Sequence, residues 1–258
     1  MTQSIFILSK SITILFVILL LTIILRLLYT TKCQIASAQR KPKQGPSHLV
    51  AILGSGGHSA EMKSLLRELD PTRYTHRTYI ASSGDYFARE KAFQIESSIQ
   101  ARLKPCGPTG AGVLDDVTGI WDIVLVKRAR KIHQSLLTTL FSSLWCAHDC
   151  IRALDLIKRS SIAAPNEYPD VIIANGPATS VIFVLSAAVL RLLGVAPTWK
   201  MKIIFVESWA RVKSLSLSGR LLLRLGICDR FLVQWETLAN SINKNGAQKV
   251  EWSGFLVD

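Results

Sequence analysis

Acidic side chains and cysteines are both scarce in this sequence. Its 18 Asp and Glu residues are outnumbered by 31 Lys and Arg residues, which gives the 258-residue chain a net charge of +13. Five cysteines, an odd number in a chain of this length, do not indicate a disulfide framework. Cys146 and Cys150 lie one helical turn apart, but no second Cys or His pair has the spacing of metal ligands. We therefore expect reduced cysteines and no metal site.

The excess of basic charge limits the kinds of partner. Nucleic acid, an anionic membrane surface and a phosphorylated substrate would each complement a charge of +13. The sequence has no zinc finger or other nucleic-acid-binding motif, and its basic residues are not interleaved with the clustered aromatics that stack on bases. This favours a membrane or a phosphorylated substrate, and no nucleic acid.

One long hydrophobic run lies near the N-terminus, within residues 5–29. With its flanks it approaches the roughly 20 residues that span about 30 Å of hydrocarbon, so we predict a transmembrane helix over 5–29. Only Lys10 precedes the apolar core, whereas five basic residues follow it by position 43, which places the rest of the chain in the cytosol. A cleaved signal peptide is the alternative, because residues 35–38 (IASA) suit a cleavage site. Residues 30–47, with Pro42, Gly45 and Pro46, are predicted to be a linker.

Residues 48–258 alternate between apolar runs typical of strands and stretches with helical spacing. This order predicts one α/β, Rossmann-like domain with a mostly parallel sheet flanked by helices. The predicted strands cover residues 48–53, 77–81, 121–126, 170–174, 202–206 and 230–234. The predicted helices cover residues 59–69, 87–99, 134–158, 179–193, 218–225 and 236–243. Residues 104–119 are predicted to be a loop. The apolar stretch 181–193 is too short to span a bilayer, so we expect a core helix, with an interfacial helix as the alternative.

A glycine-rich turn follows the first predicted strand and opens a helix. Glycines let backbone N–H groups approach a ligand closely, and a helix N-terminus favours an anion, so a phosphate or diphosphate is the expected ligand. Ser59 stands where the dinucleotide fingerprint needs Gly or Ala, and the Lys of a Walker loop is absent. His58 is expected to donate to a phosphate oxygen or to act as a base; a turn without a ligand, with His58 as its cap, is the alternative. The candidate diphosphate-binding residues are Gly54, Ser55, Gly56, Gly57, His58 and Ser59.

Two further features follow predicted strands. The NGPATS loop at residues 175–180 supplies Asn175, Gly176 and Thr179, and Glu207 follows the strand at 202–206. Ligands bind outside the carboxyl ends of strands in open α/β sheets, so we expect these features and the glycine turn to share one rim. His58 and Glu207 are the candidate catalytic residues, and a helix-capping carboxylate is the alternative for Glu207.

A basic cluster, KRARK, occupies residues 127–131. A solvated face would explain it, but beside a membrane anchor we expect contact with lipid headgroups, at about 1 kcal/mol for each charge. The candidate membrane or headgroup contacts are Lys127, Arg128, Arg130 and Lys131.

These motifs together resemble those of a known family. They are GSGGHSAEM at 54–62, RAR at 128–130, NGPATS at 175–180, VESWARVKSLSLSGRLL at 206–222 and DRFLVQWETL at 229–238. In this order they resemble the membrane-anchor subunit of a two-protein N-acetylglucosaminyltransferase of asparagine-linked glycosylation. The domain is also similar to the N-terminal half of MurG-type glycosyltransferases, which have the two-domain GT-B fold. Ala178 departs from the family's usual NGPGT loop.

The resemblance implies a function that composition and spacing alone do not give. It implies a subunit, inactive alone, of an enzyme that transfers the second GlcNAc from UDP-GlcNAc to GlcNAc-diphosphodolichol. A separate catalytic subunit would bind UDP-GlcNAc and be recruited by this chain to the cytosolic face of the endoplasmic reticulum membrane. The acceptor diphosphate would lie near residues 54–58, with no metal and no cofactor. A purely structural membrane recruiter is one alternative, and an independent Rossmann-type enzyme is another.

Overall fold

The computed structural model describes residues 45–54, 56–103, 119–130, 136–161, 165–176, 178–245 and 250–256. Strands and helices alternate through these residues. In chain order they are β1 His48–Ile52, α1 Gly57–Leu66, β2 His76–Ser82, α2 Ala88–Leu103, β3 Ile120–Val126, α3 Leu136–Ser160, β4 Val171–Asn175, α4 Ala178–Leu192, β5 Lys202–Val206, α5 Leu217–Leu225, β6 Arg230–Val233, α6 Glu236–Asn245 and β7 Glu251–Trp252. The predicted transmembrane helix at 5–29 and nearly all of the loop at 104–119 lie outside the described residues. Within the described ranges, no helix combines the length and apolarity needed to cross a bilayer.

The seven strands of the described residues form one parallel sheet in the order β3-β2-β1-β4-β5-β6-β7. β1 to β3 follow one another toward one edge of the sheet, and β4 to β7 follow one another toward the other edge. The strand order therefore reverses between β1 and β4, and sheets of this kind bind ligands at the carboxyl ends of the strands at this switch point. The predicted Rossmann-like, mostly parallel α/β fold is confirmed.

The strand boundaries agree with the sequence prediction to within one or two residues. β1 is buried along its whole length, as expected for a continuous apolar run in a parallel sheet. The first helix is shorter than predicted, because it ends at Leu66 and not at residue 69. Arg67 N–H and Leu69 N–H each bond to the carbonyl three residues earlier, and Pro71 disfavours helical backbone at the residue before it.

The core on one side of the sheet joins β1 and β2 to α1 and α2. Its fully buried members include Leu49, Met62, Tyr79 and Ile95. A buried ion pair lies beside them, where Arg77 of β2 donates two hydrogen bonds, at 2.8 and 2.7 Å, to the carboxylate of Glu96 on α2. Tyr79 Oη also donates to Glu96, at 2.6 Å. These bonds fix α2 against β2 and satisfy charges that would be costly to bury alone.

The chain divides into two compact units. One comprises Lys43–Ala188 and Lys200–Asp258 and contains the whole described sheet. The described part of the other is Val189–Trp199, in which Gly194 has a φ of 73° and the N–H groups of Val195 and Ala196 both bond to the Leu190 carbonyl, closing the end of α4.

Candidate functional site

A set of hydrogen-bonded polar side chains lies at the carboxyl ends of β1, β4 and β5. His58 Nδ1 lies 2.9 Å from Asn175 Oδ1, and Asn175 Nδ2 donates to Glu61 Oε2 at 2.5 Å. The second oxygen of that carboxylate, Oε1, accepts from Ser208 Oγ at 2.6 Å. The structure thus brings together the three segments that the sequence placed on one rim: the glycine turn, the loop that begins at Asn175, and residues 207–208.

The glycine turn leaves the start of α1 open. Gly56 precedes α1 with a φ of 61° and ψ of −130°, and no side chain caps the helix among the residues that the structure describes. Gly56 and Gly57 are exposed, whereas the Ser59 hydroxyl is buried and donates to the Gly54 carbonyl at 2.5 Å, closing the turn. Uncapped N–H groups at a helix N-terminus suit an anion, and no acidic residue lies in the first turn to repel one. Ser55 lies outside the described residues.

His58 lies over Gly176 with 32% of its side chain exposed. Gly176 has a φ of 90°, and a Cβ added there would lie 2.6 Å from Nδ1 of the ring. Two features of this position therefore require glycine: the backbone conformation, and the space that the imidazole of His58 occupies. Nδ1 faces the polar network, and Nε2 forms no hydrogen bond with any described residue.

The charges of this network stabilise each other. Glu61 Oε2 lies 3.6 Å from His58 Nδ1, and this contact raises the pKa of His58 above its ordinary value, although burial acts in the opposite direction. Burial alone would raise the pKa of Glu61, but the close contact with His58 and the hydrogen bonds from Ser208 and Asn175 together lower it. Glu61 is therefore an ionised, buried carboxylate, and His58 holds its proton to higher pH than a free histidine.

Glu207 lies next to this network with only 1% of its surface exposed. Its Oε2 accepts hydrogen bonds from the backbone N–H and the hydroxyl of Ser216, at 3.0 and 3.1 Å. Ser216 is the N-cap of α5, accepting from Gly219 N–H at 2.9 Å. Burial raises the pKa of Glu207, against the effect of the hydrogen bonds from Ser216 and Ser208. This geometry fits the capping alternative, and the catalytic role of Glu207 stays a prediction.

Thr179 links the second loop to the basic cluster. It is buried, and its Oγ1 accepts from Ser82 Oγ at 3.2 Å and from Ala129 N–H at 3.3 Å.

In the basic cluster, Lys127 Nζ lies 5.1 Å from the centre of the Trp145 ring and 3.8 Å from Asp149 Oδ1. Arg128 is half-buried and Arg130 is exposed, while Lys131 lies outside the described residues. Three large apolar side chains of α3 are exposed by 61–67%: Phe141, Leu144 and Trp145.

Glu61 is the member of the site that sequence reasoning missed; Ser208 was placed on the rim, but without a role. A glutamate near the start of a predicted helix is typical of a solvated face, yet Glu61 is only 3% exposed. The available signal was its spacing three residues after His58, which puts both side chains on one face of α1.

No group of three or more His, Cys, Asp and Glu side chains within the described ranges could hold a metal ion. None of the three described cysteines, Cys146, Cys150 and Cys228, forms a disulfide bond.

Comparisons with known proteins agree on one family. A sequence profile described as "Oligosaccharide biosynthesis protein Alg14 like" matches residues 49–256. The protein named UDP-N-acetylglucosamine transferase subunit ALG14 of Cryptococcus neoformans is 39% identical over 229 residues, 88% of this chain and 91% of that protein. The subunits of the same name from Schizosaccharomyces pombe and Rattus norvegicus are 37% and 32% identical, over 81% and 76% of this chain and 85% and 79% of their own lengths.

Among solved structures, MurG of Acinetobacter baumannii aligns with a TM-score of 0.49 and 14% identity, over 81% of this chain. The chain spans less than half of that structure, 45% of its length. Family membership rests on the sequence matches: with residues 49–256 covered by the profile, the chain belongs to the Alg14-like family of oligosaccharide biosynthesis proteins.

Proposed function

We propose that this chain is a subunit of a UDP-N-acetylglucosamine transferase and that it holds a lipid-linked diphosphate acceptor at the rim of its sheet. The names of its relatives support the enzyme class. The observation that carries the acceptor site is the His58–Asn175–Glu61–Ser208 network beside the uncapped N-terminus of α1. An exposed anion site next to an oriented histidine is what a diphosphate sugar acceptor requires.

The proposed reaction adds the second sugar of the lipid-linked oligosaccharide. The acceptor is GlcNAc-diphosphodolichol, and its diphosphate lies at the N–H groups of the 54–59 turn. UDP-GlcNAc binds mainly to a separate catalytic subunit, which this chain recruits to the cytosolic face of the endoplasmic reticulum through its N-terminal segment, 5–29. The chain alone is then inactive, because it supplies one half of the active site.

His58 is the proposed base. As the acceptor hydroxyl attacks the anomeric carbon of GlcNAc, its proton passes to Nε2 and the bond to UDP breaks. The contact with the negatively charged Glu61 carboxylate raises the affinity of the imidazole for that proton, and this effect exceeds the opposing effect of burial. A base whose pKa lies near the working pH is the most effective, and a raised histidine pKa moves in that direction.

The basic cluster and α3 form a proposed membrane-contact surface. Lys127 lies over the ring of Trp145, and Phe141 and Leu144 are exposed on the same helix. Exposed aromatic and aliphatic side chains beside cationic ones are typical of segments that bind at the headgroup level. Since Ala129 bonds to Thr179, this surface lies close in the chain's structure to the second loop of the acceptor site. Transfer in bilayer discs is therefore expected to fall when anionic lipids are replaced by neutral ones.

The test is a transfer assay with the full chain in membranes, radiolabelled UDP-GlcNAc and a short-chain GlcNAc-diphosphate lipid acceptor, with and without the catalytic subunit. Transfer is expected only when both subunits are present. His58→Ala is expected to lower kcat by about 100-fold or more, the usual contribution of a base. Glu90→Ala, at an exposed position on α2 away from the rim and from the membrane-contact surface, is the control and keeps wild-type transfer. Transfer by the lone chain would contradict the proposal.

A purely structural recruiter is the second candidate, and the capping role of the Glu207 carboxylate favours it. If His58→Ala and Glu207→Ala complexes assemble normally and keep full activity, the rim has no chemical role and this candidate replaces the first.

A further inference from the structure

We infer that Glu61 is a positioning residue of the transfer reaction: through Asn175 it determines which nitrogen of His58 carries the ring proton. This role rests on the function proposed above. Both carboxylate oxygens of Glu61 are engaged, Oε2 by Asn175 and Oε1 by Ser208, and the residue is 3% exposed. Its carboxylate is therefore held in a single orientation by partners from β4 and from the residues after β5.

The directions of these hydrogen bonds follow from the chemistry of the groups. An ionised carboxylate can only accept, so Asn175 must present its NH₂ group to Glu61. The amide oxygen of Asn175 then faces His58 and needs a donor, which assigns the proton to Nδ1 of the ring. In the neutral imidazole the lone pair is left on Nε2, the nitrogen that has no partner in the described part of the chain.

Ser208 gives this arrangement its direction. Its hydroxyl donates to Oε1, and its own backbone N–H bonds to Glu207 Oε1 at 3.2 Å. The Ser208 oxygen also accepts a hydrogen bond from the backbone N–H of Ala210 at 3.4 Å, which leaves the hydroxyl proton for Oε1 of Glu61. The order of donors and acceptors from Ser208 to His58 is thus set at its far end, by the residues that follow β5.

Replacing Glu61 by Gln reverses this order with almost no change of shape. If Ser208 keeps its bond to the new amide oxygen, the new NH₂ group faces the NH₂ group of Asn175, and two donors cannot bond. Asn175 must turn its amide over, which presents its NH₂ group to Nδ1 of His58. Nδ1 then accepts, the proton moves to Nε2, and the proposed base loses the lone pair that it uses. The loss of negative charge also lowers the pKa of His58, the reverse of the effect of Glu61.

The experiment measures kcat, the acceptor KM and the pH dependence of kcat for the full chain with its catalytic subunit in membranes. Glu61→Gln is expected to lower kcat by about 10- to 100-fold, part or all of a typical base contribution, with a much smaller change in KM. The acidic limb of the pH profile is expected to move to lower pH. Glu68→Gln, an identical change at an exposed position just after α1, is the control and leaves kcat, KM and the pH profile unchanged.

Glu61→Asp keeps a carboxylate that only accepts, so it is expected to restore much of kcat and the wild-type acidic limb. Glu61→Asp changes the packing of the side chain but keeps the carboxylate. It therefore distinguishes loss of the hydrogen-bond acceptor from loss of packing, even if Glu61→Gln folds poorly. Complex assembly and the thermal midpoint are measured for every variant.

Two results would overturn the role of Glu61. One is wild-type kcat and pH dependence in Glu61→Gln; the other is equal losses in Glu61→Gln and Glu61→Asp with an unmoved acidic limb, which would mean packing alone. Both leave the proposed function intact, because the wild-type complex still transfers sugar. Absence of transfer by the wild-type complex would instead overturn the proposed function, and this role with it.

Discussion

The contact between Gly176 and His58 determines how much freedom the candidate base has. The α-carbon of Gly176 lies where a side chain would meet the imidazole, since an added Cβ would be 2.6–2.8 Å from three ring atoms. The ring is thus held between the backbone after β4 and the Asn175 amide. The absence of a side chain at Gly176 therefore makes room for the position that the imidazole adopts.

Gly176→Ala tests this steric role. The new methyl group is expected to push His58 away from Asn175 and to lower kcat by about 10-fold or more, since small displacements of catalytic groups are costly. Gly84→Ala is the control: Gly84 has a similar φ of 82°, but an added Cβ there meets nothing within 4 Å. Both variants carry a backbone cost of about 1 kcal/mol. Equal kcat values in the two variants would contradict the steric role.

At the scale of elements, α2 is attached to β2 by charge as well as by apolar packing. The side chains of Arg77 and Glu96 are 1% and 2% exposed, and the guanidinium binds the carboxylate in a bidentate ion pair. An ion pair of this kind gives geometric specificity, but it leaves a buried charge if one partner is removed. The register of helix against strand therefore depends on both members.

Glu96→Ala is expected to lower the free energy of unfolding by about 3–5 kcal/mol, because it leaves the Arg77 guanidinium buried without its counter-charge. Chemical unfolding followed by tryptophan fluorescence would measure the loss. Glu90→Ala, on the exposed side of the same helix, should change stability by no more than about 0.5 kcal/mol. A loss below about 1 kcal/mol in Glu96→Ala would show that the pair contributes little.

The elements themselves were largely predictable. Short continuous apolar runs that alternate with helical segments are typical of buried parallel strands, as in β1 and β5. β5 occupies the predicted residues 202–206. The shared rim also followed from the sequence, because parallel strands place their carboxyl ends on one edge. The burial of Glu61, Arg77 and Glu96 did not, since the pattern of a single segment cannot show which distant partner satisfies a charge.

At the scale of the whole molecule, the two edges of the sheet carry different histidines. His58 lies at the carboxyl edge, whereas His48 and His76 begin β1 and β2 at the amino edge, where their rings stack with centroids 3.8 Å apart. His48 bonds to Thr78 Oγ1 at 2.8 Å and to Ser161 Oγ at 3.2 Å. Burial, with a further effect from His76, lowers the pKa of His48 to about 3.

This buried histidine makes stability depend on mild acid. The unfolded chain takes up a proton on His48 near pH 6.5, whereas the folded chain does so only near pH 3, so the stabilisation is complete above pH 6.5 and is lost as the pH falls. Between pH 6.5 and 5.5 the free energy of unfolding is expected to drop by about 1 kcal/mol from this group. His48→Leu should remove that pH dependence, and His148→Leu, at an exposed position, should keep it. Urea midpoints of the full chain at the two pH values provide the measurement, and an unchanged dependence in His48→Leu would assign it to other groups.

The candidate site joins residues that the ribosome makes far apart in time. Asn175 follows His58 by 117 positions, and Ser208 follows Glu61 by 147. At about 5–20 residues per second, Glu61 waits roughly 7–30 s for the hydroxyl that holds it. A nascent chain halted after β2 but before Ser208 therefore contains its first two strands and its glycine turn but lacks the hydroxyl that completes the network around its histidine, so a functional site requires synthesis beyond β5.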